Sequence, residues 1–222
     1  MNKVIKSSLL VSLLVVTVNA VAQVTAAPAQ VPATGQSVDS NVLGANKGVA
    51  WPSSRFVAGT GATADCITDK LTGLMWPKNG IIGFEATNGG GPIAQPNYVN
   101  TTANLNQINW TDALTAVANM NTAPIKLCGY SDWRLPNKVE LKSLVNYGAA
   151  NPANWLMYGS GNSGTPACDG ACFANVQASY YWSSSTYASY TPFAWLVNFG
   201  YGSVGANPKT NHYYVWPVRG GQ

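Results

Sequence analysis

The chain has 222 residues, 46% of them hydrophobic, 11% aromatic and only 9% charged, with 22 Gly, 13 Pro, 8 Trp and 11 Tyr. Soluble proteins average about 25% charged residues, so this composition excludes charge-rich disordered tails, coiled coils and long-helix bundles. Twelve Lys and Arg against eight Asp and Glu leave +4. Removal of Lys3 and Lys6 with a leader lowers this to 10 − 8 = +2, too little for a nucleic-acid backbone stripe.

In chain order, residues 1–22 have the layout of a secretory signal peptide: Lys3 and Lys6, an apolar run over Leu9–Val18, then Ala20-Val21-Ala22. The run is shorter than the roughly 20 residues needed to span a bilayer, and no later stretch reaches that length. The mature chain is expected to be exported (periplasmic, secreted or cell-surface) with no transmembrane segment. Residues 23–55 are rich in Ala, Pro, Thr, Ser and Gly and read as an extended linker. Trp51 and Phe56 are expected to dock where one domain, 56–221, begins.

Four cysteines remain, Cys66, Cys128, Cys168 and Cys172. An even count in an exported chain points to two disulfides. Cys168 and Cys172 are most simply read as a local staple, which would leave Cys66 with Cys128. A zinc site competes, but His212 is the single histidine, so no metal is expected.

A helix is expected from Trp110 to about Met120, capped by Asn109 with Asp112 in its first turn. A second follows Leu135-Pro136, with Asn137 as N-cap, Glu140 completing a capping box, and Gly148 as its end. Strands are expected at Tyr180–Ser184, at Phe193–Phe199 with Phe193, Trp195, Val197 and Phe199 facing one buried layer with Trp182 and Val215, and at Tyr213–Arg219. This order predicts an α+β fold of two helices and short antiparallel strands, stapled by disulfides.

Six separated blocks resemble the Lcl C-terminal domain family. These are Thr72-Gly-Leu-Met-Trp76, Trp110 with Ala113-Leu114, Gly129-Tyr-Ser-Asp-Trp-Arg-Leu-Pro-Asn137 with Glu140-Leu141, Tyr181-Trp-Ser-Ser-Ser-Thr186, Ala194-Trp195 with Val197 and Phe199, and Tyr214-Val-Trp-Pro-Val-Arg-Gly220. The resemblance implies a C-type-lectin-like fold on a bacterial secreted or surface protein. One member is an adhesin that binds sulfated polysaccharides. Two departures stand out: no collagen-like stalk is present, and Trp216 occupies a place where the family commonly has arginine.

Enzyme chemistry finds little footing. The eight acids are scattered singly, no serine sits in a nucleophile motif, and Asp132-Trp133-Arg134 reads as an ion-paired corner seating the second helix. No catalytic residue and no cofactor is expected. A formylglycine-generating type of enzyme would need free, reactive cysteines. Gln95-Pro96-Asn97 matches a calcium-lectin tripeptide weakly, and from Gly170 onward there is no Asp or Glu to hold calcium.

Residues 179–213 hold 6 Tyr, 6 Ser and 3 Asn with Lys209 as the single charge. Tyrosine among small polar residues is the composition of binding loops. The expected partner is an extracellular glycan or protein, met by Tyr187, Tyr190, Asn198, Tyr201, Ser203, Asn207, Asn211, His212 and Tyr213. These fall in turns or off the apolar alternation, and Asn198 and Tyr201 are expected to face solvent. An alternative is a receptor-binding protein diversified by a retroelement, which a near-copy of the 3′ end beside a reverse-transcriptase gene would reveal.

Overall fold

The computed structural model describes residues 55–80, 107–124, 126–159, 168 and 170–220. The leader, residues 23–54 of the linker with Trp51, and the Gln95–Asn97 tripeptide lie outside the described residues.

The chain folds as α+β with two sheets. Strands β1 (Phe56–Ala58), β2 (Cys66–Asp69) and β3 (Leu74–Pro77) form an antiparallel sheet in chain order. After β4 (Gln107–Ile108) come three helices: α1 (Trp110–Thr122), α2 (Lys138–Ser143) and α3 (Pro152–Tyr158). Strands β5 (Tyr180–Thr186), β6 (Phe193–Asn198), β7 (Val204–Pro208) and β8 (Tyr213–Tyr214) join β4 in a second sheet ordered β4-β8-β5-β6-β7. All its pairs are antiparallel except β5 with β8.

The expected caps hold the starts of α1 and α2. The Asn109 side chain accepts from Asp112 N–H, and the Asn137 side chain accepts from Val139 and Glu140 N–H while the Glu140 carboxylate accepts from Asn137 N–H. The second helix ends at Ser143, well before Gly148. A third, α3, was not expected, although Asn151 caps it and Pro152 opens it. Expected strand Tyr213–Arg219 keeps its ladder only over Tyr213–Tyr214. Beyond this the chain leaves β5: Val218 and Arg134 exchange hydrogen bonds at 2.9 Å, and Arg219 and Met75 do so at 3.0 Å. The C-terminus thereby binds the small sheet to the segment that enters α2.

The second sheet is buried on both faces, not on one. Trp182, Leu196 and Val215 pack with Ala113, Ala116 and Val117 of α1. Tyr181, Val197, Phe199 and Trp216 pack on the other face with Leu141 of α2 and Leu144 just after it. The single buried layer expected from Trp182, Trp195, Val197, Phe199 and Val215 is therefore split between two cores. Trp195, near the start of β6, meets α2 only at Lys138 among the described ring contacts and stays half-buried. Disulfides join Cys66 to Cys128 and Cys168 to Cys172. The first spans 62 residues, and restricting the unfolded chain over that loop contributes about 4 kcal/mol by chain entropy. Among the described residues no helix is long and apolar enough to cross a membrane.

Arg55, taken as the last residue of the linker, belongs to the fold: it is wholly buried and ion-paired with Asp69.

Candidate binding site

The end of the second sheet formed by the last residues of β5 and the first of β6 carries a cluster of rings and cations. The turn joining these strands is closed by backbone bonds from Tyr187 N–H to Phe193 O and from Phe193 N–H to Tyr190 O. Within it, Tyr187 stands edge-on to Trp195 with centroids 5.1 Å apart, and Tyr190 leans on Phe193 at 5.0 Å. The Lys138 ammonium sits 4.0 Å above the Trp195 ring. Its backbone is held there because Lys138 N–H donates to Ser185 Oγ and Ser184 N–H donates to Pro136 O.

A second lysine–tryptophan pair flanks the same strand end. Lys209 Nζ lies 4.0 Å from the Trp110 ring and donates to Thr186 Oγ1 at 2.9 Å. Trp110 is fixed in turn by its indole N–H on Ser183 O and its backbone N–H on Lys209 O. Each cation–ring contact contributes about 0.5–2 kcal/mol, enough to hold a long side chain in one orientation. The ammonium groups are thus pre-placed.

Neither ammonium takes part in an ion pair among the described residues. Among the described residues the ion pairs are Arg55–Asp69, Arg134–Glu140 and Arg219–Asp132. Asp69, Glu140 and Asp132 are spent on arginines, Asp112 accepts from the Asn109 side chain, and among the described residues neither Lys138 nor Lys209 has a carboxylate within salt-bridge range. Burial opposes the charge on Glu140, but Arg134 and the Asn137 N–H outweigh it and hold the carboxyl below its usual range. The Arg219 guanidinium lowers that of Asp132 in the same way, and itself lies 3.5 Å over Tyr130. The Asp132–Arg134 segment is a corner joined to α2 and the C-terminal strand, as its sequence suggested.

The expected site residues do not gather in one place. Tyr187, Tyr190 and Asn207 gather at this sheet end, Asn207 lying opposite Ala194 in the β6–β7 register. Asn211 and His212 are exposed in the turn that follows Lys209. Tyr201, 84% exposed, and Ser203 lie at the far end of β6, on the β6–β7 hairpin. There Gly202 adopts φ +72°, and a Cβ would stand 2.8 Å from Val145 Cγ1, so the hairpin closes against the end of the α2 segment. Tyr213 is half-buried against Trp182, centroids 4.9 Å apart, and serves the core more than the surface.

Asn198 is a correction. It is 5% exposed, and its Oδ1 accepts from Gly200 N–H at 2.7 Å and Tyr201 N–H at 3.1 Å. It builds the hairpin and does not face solvent as expected. The period-2 rule put it outside because β6 was read as one-faced, whereas this central strand is covered on both sides. Asn198→Ala leaves two backbone donors without their acceptor and is expected to cost about 1–3 kcal/mol. Thermal melts check this; an unchanged midpoint would contradict the assignment.

Sequence reasoning missed Lys138, Trp110 and the partial exposure of Trp195. The sole local signal was Lys209, alone in an uncharged stretch. Among the described residues no three His, Cys, Asp or Glu side chains stand together as a metal site. The model of the Lcl C-terminal domain matches residues 65–219. No curated protein matches the chain.

Proposed function

The chain belongs to the Lcl C-terminal domain family, and on that premise we propose that it is an exported, non-enzymatic binding module of C-type-lectin-like fold, taking an extracellular glycan or protein ligand at the β5–β6 end of its second sheet. The observation that carries this is the grouping of Tyr187, Tyr190, Trp195 and Asn207 with two oriented lysines that have no carboxylate partner among the described residues. Aromatic rings give large contact area at small entropic cost, and amides and hydroxyls supply adaptable hydrogen bonds. The lysines favour a ligand bearing sulfate or carboxylate groups. Rigid elements present the cluster, since α2, β5 and β6 all end at it.

Export is supported by the leader pattern and by the two disulfides, which persist in oxidising compartments. Pairing of all four cysteines favours this reading over cysteine chemistry of the formylglycine-generating type, and thiol titration of the unreduced protein is expected to find no free thiol.

The experiment is binding to immobilised heparin and to neutral glycans at two salt concentrations. The unaltered protein is expected to bind the sulfated ligand, more weakly at high salt. The double variant Lys138→Gln/Lys209→Gln is expected to lose about tenfold or more in affinity, since a hydrogen bond to a charged group contributes about 1.5–3 kcal/mol. Tyr201→Ala, at the other end of the sheet, is expected to bind normally. Loss with Tyr201→Ala and retention with the lysine variant would move the site to the hairpin and overturn the proposal.

A further inference from the structure

We propose that the outer edge of β1 docks an extended peptide segment carrying a carboxylate, at a site separate from the face described above. In the β1–β2 ladder, Gly59 N–H donates to Cys66 O and Lys70 N–H to Arg55 O, both at 2.9 Å. Hydrogen-bonded pairs alternate in an antiparallel ladder, so Phe56 and Ala58 turn their backbone groups to the far side of β1. There Phe56 O accepts from Ala171 N–H at 2.9 Å, in a parallel bridge with Gly170. The neighbouring chain then turns away. Phe173 N–H goes to Leu156 O, and Ala174 N–H goes to Lys78 O.

Ala58 is therefore left exposed at an unfinished sheet edge, and two cavities meet beside it. One of about 450 Å³ is lined by Met157, Tyr158, Phe173 and Lys78; the other, of about 340 Å³, is lined by Phe56, Val57 and Lys70. Ala58 and Ala171 line both. Their short side chains let another backbone approach, and the Cys168–Cys172 disulfide closes the loop that carries Ala171. Among the described residues no Asp or Glu lines either cavity. Lys70 and Lys78 are both exposed, and neither has a carboxylate in salt-bridge range among the described residues.

Open backbone groups on an edge strand are a template for another strand. An incoming segment would pair with the Ala58 N–H and C=O, set an apolar side chain on Met157 and Phe173, and bring its carboxylate to Lys78 or Lys70. A small amphipathic anion would use the cavity and a lysine without needing the Ala58 amide.

The test uses the full disulfide-intact chain and a fluorescein-labelled hexapeptide of alternating valine and threonine that ends in aspartate. Saturable binding by fluorescence anisotropy is expected, with the Ala58 amide becoming protected from hydrogen exchange. Lys70→Glu/Lys78→Glu is expected to weaken binding about tenfold or more. Ala58→Pro removes the outward N–H while leaving the β2 ladder intact, as prolines on open edges do, and is expected to weaken binding about fivefold. Lys138→Gln/Lys209→Gln is expected to bind the peptide normally, which separates this site from the one above. Absence of binding, insensitivity to the Lys70 and Lys78 changes, or binding that leaves the Ala58 amide unprotected would each overturn the proposal.

Discussion

Trp216→Ala is expected to destabilise the domain by about 3–5 kcal/mol, the range for deleting a buried large aromatic, and to leave little of a typical stability of about 5–15 kcal/mol. Trp216 is fully buried and sits at the centre of four rings: Trp76, Phe173, Tyr181 and Phe199 all lie with centroids within 6 Å of its own. Its indole N–H donates to Pro77 O at 3.0 Å, so the same side chain satisfies a carbonyl of β3 while belonging to the segment that follows β8. Alanine removes the packing between the two sheets and strands that carbonyl. Trp195→Ala, by contrast, removes a half-buried ring at the edge of the core and is expected to cost markedly less. Urea unfolding of the two variants checks the order; equal losses would place Trp195 in the core after all.

Arg55→Met is expected to cost about 3–5 kcal/mol, because it leaves the Asp69 carboxylate buried and without its countercharge. The two side chains are 1% and 0% exposed and meet through paired hydrogen bonds of 2.6 and 2.5 Å. Arg55 also donates to Ser143 O at 3.0 Å, tying the first sheet to the end of α2. Asp69 accepts as well from Leu71 N–H and Thr72 Oγ1, which shapes the turn between β2 and β3. The double change Arg55→Met/Asp69→Leu removes both charges and is expected to recover part of the loss, since apolar replacement of a buried pair is often close to neutral. Recovery is incomplete because the turn bonds go with Asp69. A double variant no better than Arg55→Met alone in the same denaturation assay would contradict this. A protein begun at residue 56 lacks this arginine and is expected to be weakened likewise.

What was legible in the sequence was local. Asn109 with Asp112, and Asn137 with Glu140, announced two helix starts because caps satisfy backbone groups within three residues. Four cysteines behind a leader-like segment pointed to two disulfides, and the close spacing of Cys168 and Cys172 suggested the pairing that the fold shows. Strands β5 and β6 showed in their aromatic and β-branched content. The remainder depended on contacts between distant segments. Strand β7, Val-Gly-Ala-Asn-Pro, has no apolar alternation and exists because β6 offers it a ladder. Strands β1 to β3 are only three or four residues each and are held by one another and by the C-terminal residues. The candidate site followed the same rule. Tyr187 and Tyr190 were found from composition, but Lys138 meets Trp195 and Lys209 meets Trp110 across the fold, and no local signal joins those pairs. Asn198 was misplaced for a related reason: strand alternation tells which residues share a face, not whether one face or both are covered.

The most direct test of the binding face is amide hydrogen exchange of the intact protein with and without a heparin-derived oligosaccharide. The account predicts added protection over residues 184–195 and 207–212, where the tyrosines and the lysine–tryptophan pairs meet, and none at Tyr201 or Ser203. Protection confined to the 199–203 hairpin, with the β5–β6 turn unchanged, would contradict it.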